Sequence, residues 1–206
     1  WLARLSRWGV GGILADDMGL GKTVQALGVL VERADDGPAL VIAPTSVGEN
    51  WARETERFAG HLNPLLYRES NRQELVESAG PHDVVVVSYQ LVQRDAQRFA
   101  SRCWNTLVLD EAQFIKNAQT KTSRAIRDVQ ADWRIALSGT PLENHLGELR
   151  SLIDFGLPDY LGTEKQFNAV LRRPIEDDND RNAKAALAAR TAPVLLRRTK
   201  DQVAID

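Results

Sequence analysis

Sulfur and imidazole are scarce in this 206-residue chain, which has one cysteine (Cys103), one methionine (Met18) and three scattered histidines (His61, His82 and His145). A lone cysteine excludes a disulfide framework, and these few dispersed ligands do not make a structural zinc site. The cell interior is the expected compartment. No apolar run approaches the roughly 20 residues of a membrane span. No leader with a basic start, an apolar middle and a small-residue cleavage site is visible either, so no membrane association is expected. A strong net charge is missing too: 26 basic residues face 28 acidic ones, a formal charge of −2. Any nucleic-acid contact must therefore come from local patches, not from the field of the whole molecule. Internal repeats and low-complexity segments are absent. Because the only methionine lies at position 18, Trp1 does not read as a translation start, and the chain is expected to be a piece of a longer protein.

What is present is a core-forming composition, 43% hydrophobic, in a length that fits one domain or one domain with an insertion. Short runs rich in Val, Ile and Leu recur at Gly12 to Ala15, Ala39 to Ala43, Val84 to Ser88, Thr106 to Leu109 and Arg134 to Ser138. They have the look of parallel strands buried on both faces. Helical stretches lie between them at 22–33, about 47–59, about 70–78, about 90–100 and about 120–130. This alternation predicts an α/β fold, a mainly parallel sheet with helices on both faces. In the second helix Val47, Trp51, Glu54 and Phe58 share a face, and its three apolar members are expected to pack against the sheet. For Trp51, ligand stacking is the alternative. After Ser138 the character changes to a stripe of Leu146, Leu149, Leu152 and Ile153, broken at Gly156-Leu157-Pro158. An acidic stretch, Glu176-Asp177-Asp178-Asn179-Asp180, reads as a solvated loop. It precedes an alanine-rich helix around 183–189. The expected organisation is a nucleotide-binding core over 1–145, a helical insertion over 146–192 and a return segment over 193–206.

The chemistry-bearing stretch is Asp16-Asp17-Met18-Gly19-Leu20-Gly21-Lys22-Thr23, set between a short strand and a helix in which Val24, Leu27 and Val31 recur at helical spacing. Gly19 and Gly21 would let backbone amides from Asp17 to Thr23 turn onto phosphate oxygens, at the positive end of the following helix. Lys22 would reach the β and γ phosphates, and the Thr23 hydroxyl would be a magnesium ligand. The strict pattern asks for Gly where Asp16 stands, and a plain glycine turn with a surface lysine is the competing reading.

A second cluster, Asp110-Glu111-Ala112-Gln113, follows the buried run Thr106-Leu107-Val108-Leu109, at the strand exit where open α/β sheets bind ligands. Asp110 would hold the magnesium, and Glu111 would orient or deprotonate the attacking water. An acidic pair that merely complements a helix dipole is the alternative, weakened by the independent phosphate loop upstream.

Together with Ala43-Pro44-Thr45-Ser46, Asn50-Trp51, Leu137-Ser138-Gly139-Thr140-Pro141-Leu142-Glu143-Asn144 and Leu196-Arg197-Arg198-Thr199-Lys200, these motifs appear in the order seen in Swi/Snf-type ATPases of helicase superfamily two. The chain resembles that family over nearly its whole length. In that family an acid at position 16 is usual. The resemblance implies the first of two RecA-like P-loop lobes of a motor that uses ATP and Mg2+ to track along double-stranded DNA. It also implies DNA-backbone contact at Pro44, Thr45 and Ser46, with Lys116 as a candidate helper whose alternative is a solvated side chain. Ser138, Gly139 and Thr140 match the motif that links nucleotide state to lobe movement, and Gln113 stands where many relatives have histidine. Contact with DNA would be to phosphates, without sequence preference.

The partners implied are duplex DNA and a second RecA-like lobe of the same parent chain, with its arginine fingers. Without that lobe, little hydrolysis is expected. The cluster Arg197, Arg198 and Lys200 leads towards the interlobe hinge, with DNA phosphate or nucleotide as its partner. An unwinding helicase on the same fold and a nucleotide-gated protein scaffold are the rival functions. Six lysines against 20 arginines hint at a GC-rich genome, which favours a bacterial cytoplasm or nucleoid over a nucleus.

Overall fold

The apolar runs do form strands, and each alternates its side chains between two separate cores. In the computed structural model, residues 1–68, 72–115, 117–139 and 146–203 are described. The strands are β1 (Gly12–Leu14), β2 (Ala39–Ala43), β3 (Asn63–Leu66), β4 (Asp83–Ser88), β5 (Cys103–Leu109), β6 (Gln130–Leu137) and β7 (Leu195–Leu196). They lie in one sheet, in the order β3-β4-β2-β5-β6-β1-β7, and every pairing is parallel. Ile13, Leu40, Ile42, Leu107 and Leu109 point into one core, while Leu14, Val41, Val108 and Leu137 point into the other. That period of two, with both faces covered, is why the strands read as continuous hydrophobic runs.

Three helices cover one face: α1 (Leu2–Arg7), α2 (Lys22–Glu32) and α3 (Thr45–Phe58). The other face carries α4 (Arg72–Ser78), α5 (Tyr89–Arg94), α6 (Ala96–Ala100), α7 (Lys121–Arg127) and α8 (Leu146–Gly156). Beyond α8, the short α9 (Glu164–Phe167), a π turn (Asn168–Arg172), α10 (Arg173–Glu176) and α11 (Arg181–Thr191) add Phe167, Leu171 and Leu187 to that core. The chain then returns to the sheet as β7, beside β1, and ends its described part in α12 (Lys200–Val203). Among the described residues no helix is long and apolar enough to cross a membrane.

Several expectations need correction. Phe58 does not pack on the sheet: it is half exposed, with the Arg57 guanidinium over its ring at 4.8 Å. It is the last residue of α3, whose buried face runs through Trp51, Thr55 and, just beyond the helix, Ala59 instead. Val24 is also exposed, and the buried stripe of α2 is Ala26, Leu27, Val29 and Leu30. The stretch near 90–100 is two helices broken at Asp95, whose carboxylate accepts the Tyr67 hydroxyl at 3.0 Å and lies 3.6 Å from the Arg72 guanidinium. Strands β3 and β7 and helix α1 escaped the sequence reading. By contrast, all four members of the Leu146 stripe are buried, and α8 ends at Gly156 as expected.

The end of α8 fixes where β1 begins. A Cβ on Gly11 would stand 2.1 Å from the Gly156 carbonyl oxygen, so side-chain-free backbone is required at this crossing. Gly11→Ala should lower stability by about 1–3 kcal/mol, the usual cost of overpacking. Urea unfolding of wild type and variant checks this; an unchanged midpoint would contradict the close approach.

Candidate functional site

Because every strand is parallel, the chain leaves β1, β2, β5 and β6 at one edge of the sheet, where residues far apart in sequence meet. The turn after β1 carries the phosphate-loop motif. Gly19 and Gly21 both adopt positive φ, +89° and +71°, and Gly21 is the residue on which α2 starts. A Cβ on Gly21 would meet nothing within 4 Å, and one on Gly19 would meet only the end of the Lys200 side chain, at 3.8–3.9 Å. The glycines therefore leave the backbone open at the positive end of an 11-residue helix, an accessibility and polarity that fit a phosphate chain. Met18 is exposed, and Asp17, Leu20, Lys22 and Thr23 are half-buried. The Lys22 ammonium donates to the backbone oxygens of Asp16 at 2.7 Å and Asp17 at 3.2 Å.

The acidic motif leaves β5 two strands away. Asp110 is buried, and each of its carboxylate oxygens accepts an N–H: Oδ2 from the Trp51 indole at 2.8 Å and Oδ1 from the Glu111 amide at 2.9 Å. Its backbone oxygen accepts the Tyr89 hydroxyl at 2.7 Å. Burial raises the Asp110 pKa above the ordinary carboxylate value. The Trp51 and Glu111 donors pull it down, the Glu111 charge pushes it up, and the Lys22 charge pulls it down. The Tyr89 phenol is held far above its normal pKa by burial and by the charges of Asp110 and Glu111, so it remains a donor. Glu111 itself adopts φ +50°, an uncommon conformation for a residue with a side chain and one that recurs at functional sites.

Between the two clusters runs β6. The Gln113 amide donates to Glu111 Oε2 at 2.7 Å, and the Ser138 hydroxyl donates to the Gln113 side-chain oxygen at 3.3 Å. The Ser138 amide donates to the Leu14 oxygen at 3.0 Å, at the foot of the phosphate loop. A Cβ on Gly139 would stand 3.0 Å from the Met18 side chain and 3.6 Å from the Lys22 nitrogen. Lys22, Ser138, Gly139, Gln113, Glu111 and Asp110 thus form one contiguous set. Thr140, at the end of the same motif, lies outside the described residues.

Pro44 opens α3, leaving Thr45 and Ser46 exposed in its first turn. Thr45, but not Ser46, lines a groove of about 470 Å³ together with Pro44, Glu49, Arg68, Arg72 and Gln90, at the C-terminal ends of β2, β3 and β4. Lys116 lies outside the described residues.

The sequence reading missed three participants. Trp51 is a core residue and also a donor to the β5 carboxylate; a buried indole needs an acceptor, which was the available signal. Tyr89 belongs to no motif that would single it out in the sequence. Asp16 is fully buried, and it binds Arg198 through the Arg198 backbone amide at 2.9 Å, Nε at 3.2 Å to both carboxylate oxygens, and Nη2. The partner of Arg198 in this structure is the foot of the phosphate loop. Burial pushes the Asp16 carboxyl up, but the hydrogen bonds from Arg198 and Gln25 and the Arg198 charge outweigh it, so the net shift is downward.

The raised pKa of Asp110 has a consequence for stability. Protons bind Asp110 more tightly in the folded than in the unfolded chain, so its contribution is fully present below the unfolded pKa of about 3.9 and is lost as pH rises through the folded value. Trp51→Phe removes a donor that favours the ionised form and so enlarges that loss. The variant should be less stable than wild type by about 1–3 kcal/mol more at pH 7 than at pH 3, measured by denaturant unfolding at both values. A pH-independent difference would show that the indole acts by packing alone.

Comparison with known proteins gives a consistent result. The family profile described as SNF2-related domain matches residues 1–206. YwqA of Bacillus subtilis is 45% identical over the full chain, which covers 23% of that protein. Human TATA-binding protein-associated factor 172 is 37% identical, again over the full chain and over 13% of its own length. Among solved structures, the Sulfolobus solfataricus SWI2/SNF2 ATPase core in complex with double-stranded DNA superposes with a TM-score of 0.90 at 38% identity. That match covers all of this chain and 43% of the other. The chain therefore spans less than half of each of these relatives.

Proposed function

The chain belongs to the SNF2-related domain family, and on that footing we propose that it is the first, nucleotide-binding lobe of an ATP-driven motor that moves along double-stranded DNA. The observation that carries this reading is the contiguity of the loop lysine, the β6 exit and the β5 carboxylates, linked through Gln113 to Ser138 and through Gly139 to Lys22. In this reading the backbone amides from Asp17 to Thr23 cradle the phosphates, and Lys22 leaves the Asp16 and Asp17 oxygens to contact the β and γ groups. Thr23 and Asp110 would hold magnesium, which neutralises phosphate charge during transfer. Glu111 positions and deprotonates the water, with Gln113 fixing its carboxylate. Burial of Asp110 in a site that holds a cation is understandable, since a nearby positive charge offsets the cost of keeping the carboxylate ionised.

Ser138, Gly139 and, by sequence, Thr140 report the state of the site, because one side of this turn touches Gln113 and the other touches the loop. Duplex DNA lies along the exposed first turn of α3, where the amides and hydroxyls of Thr45 and Ser46 bind phosphate oxygens. Pro44 sets the direction of that turn, and Lys116 adds a charge. The helices over 146–192 form a protrusion on this lobe, and residues 193–206 lead to a second RecA-like lobe that completes the ATPase site. An arginine donated by that lobe would be worth about a thousandfold or more in rate, so residues 1–206 alone should hydrolyse ATP barely at all.

Steady-state ATPase of the longer parent protein tests the proposal. Duplex DNA should stimulate turnover, and raising salt should weaken DNA binding as counterion release demands. Lys22→Ala or Glu111→Gln should each lower turnover by about a hundredfold or more. Stimulation by single-stranded RNA but not by duplex would favour an unwinding helicase, and indifference to both substitutions would favour a scaffold.

A further inference from the structure

The closing segment of the chain grips the same two residues that the loop lysine uses. Asp16 is fully buried and is held by three groups of Arg198, its backbone amide, Nε and Nη2. Gln25, in the first turns of α2, donates to Asp16 Oδ2 at 3.3 Å and accepts Arg198 Nη2 at 2.8 Å, so carboxylate, amide and guanidinium close a triangle. One residue on, the Asp17 amide donates to the Arg198 oxygen at 3.0 Å, and the Asp17 carboxylate accepts the Lys200 amide at 3.2 Å. The Lys200 side chain extends over Gly19. Upstream, the Ala15 amide donates to the Leu196 oxygen at 2.7 Å, which continues the β1–β7 ladder directly into this contact.

On the inner side of the loop, the backbone oxygens of Asp16 and Asp17 are the acceptors for Lys22. Asp16 and Asp17 therefore face two ways: their carbonyls hold the phosphate-binding lysine, and their carboxylates and the Asp17 amide hold residues 198–200. When phosphate draws the lysine away, both carbonyls lose their donor. The peptide unit joining Asp16 to Asp17, whose carbonyl Lys22 leaves, must then readjust, and the amide of that same unit is the one bonded to the Arg198 oxygen. A bidentate guanidinium on a buried carboxylate resists sliding, so the readjustment passes to the segment instead of being absorbed by it.

We infer that Arg198 is a positioning residue for the phosphate loop, and that residues 198–200 are a latch through which occupancy of the loop is transmitted to the chain beyond Lys200. This rests on the nucleotide-binding reading given above, and goes beyond it by assigning roles to Arg198, Asp16, Gln25 and Lys200. The relation is reciprocal: a pull on the segment must alter nucleotide affinity by the factor with which nucleotide alters the segment.

Hydrogen exchange of the parent protein with and without Mg-ADP, together with Mg-ADP affinity, tests the latch. In wild type, nucleotide should change the exchange of the amides of Arg198 and Lys200. Arg198→Met should weaken Mg-ADP binding by about tenfold, within the range of coupled sites, and abolish that exchange response. Arg198→Lys, which keeps the charge but not the fork, should fall between the two. Arg198→Lys keeps the test decisive if Arg198→Met fails to fold, whereas Lys200→Ala, which retains the backbone amide on Asp17, should leave the exchange response at Arg198 in place. Nucleotide binding without any exchange response at 198–200, or unchanged affinity in Arg198→Met, overturns the latch alone. Failure of the wild-type protein to bind Mg-ADP overturns the latch and the nucleotide reading together.

Discussion

The structure depends on one constraint: every strand of the sheet runs in the same direction. Parallel strands require crossovers, crossovers place helices on both faces, and the loops that leave the strands then gather at a single edge. With β6 seated between β1 and β5, the chain leaving β6 has the phosphate loop on one side and the acidic motif on the other. Ser138 and Gly139 are in contact with both for that reason. Nothing in the local chemistry of either motif would bring them together without this strand order.

A second theme is how buried carboxylates are tolerated. Asp16 and Asp110 sit at the exits of β1 and β5, each shielded from solvent, and each would be costly to ionise if left alone. Their surroundings resolve this in opposite directions. Asp16 meets a guanidinium and an amide and ends with a lowered pKa, which makes it a fixed structural anion. Asp110 meets neutral N–H donors and a more distant ammonium, and its pKa stays raised. A carboxylate in the second condition gains from a cation brought in from outside, whereas one in the first already has its counter-charge. In the proposed reading, this difference separates Asp16, an anchor, from Asp110, which would hold the metal, although both residues are aspartates at strand ends.

Much of the fold was legible because burial on both faces leaves a strong imprint. The runs at 12–15, 39–43, 84–88 and 106–109 have few polar residues, and they mark central strands. The edge strand β3 has no such imprint: it is four residues long, contains Pro64 and is exposed or half-buried throughout. Strand β7 has only two residues and is held by its pairing with β1. The N-terminal half of β6 was missed for a related reason, since Gln130 and Asp132 face solvent there. At the site, the phosphate loop and the acidic pair announced themselves by residue type and spacing. The supporting contacts did not, because Trp51 and Asp110 are 59 residues apart and Asp16 and Arg198 are 182 apart. Such pairings depend on strand order, which short-range patterns do not encode.

The central claim is that the loop at Gly19–Thr23 and the pair Asp110 and Glu111 serve one metal-bound nucleotide. A crystal structure of the chain with magnesium and a non-hydrolysable ATP analogue tests it most directly. The account predicts Lys22 released from the Asp16 and Asp17 oxygens and bound to the β and γ phosphates, with one magnesium ion shared by Thr23 and Asp110. A nucleotide bound elsewhere, or a metal at the loop with Asp110 too distant to reach it even through one water, would contradict the account.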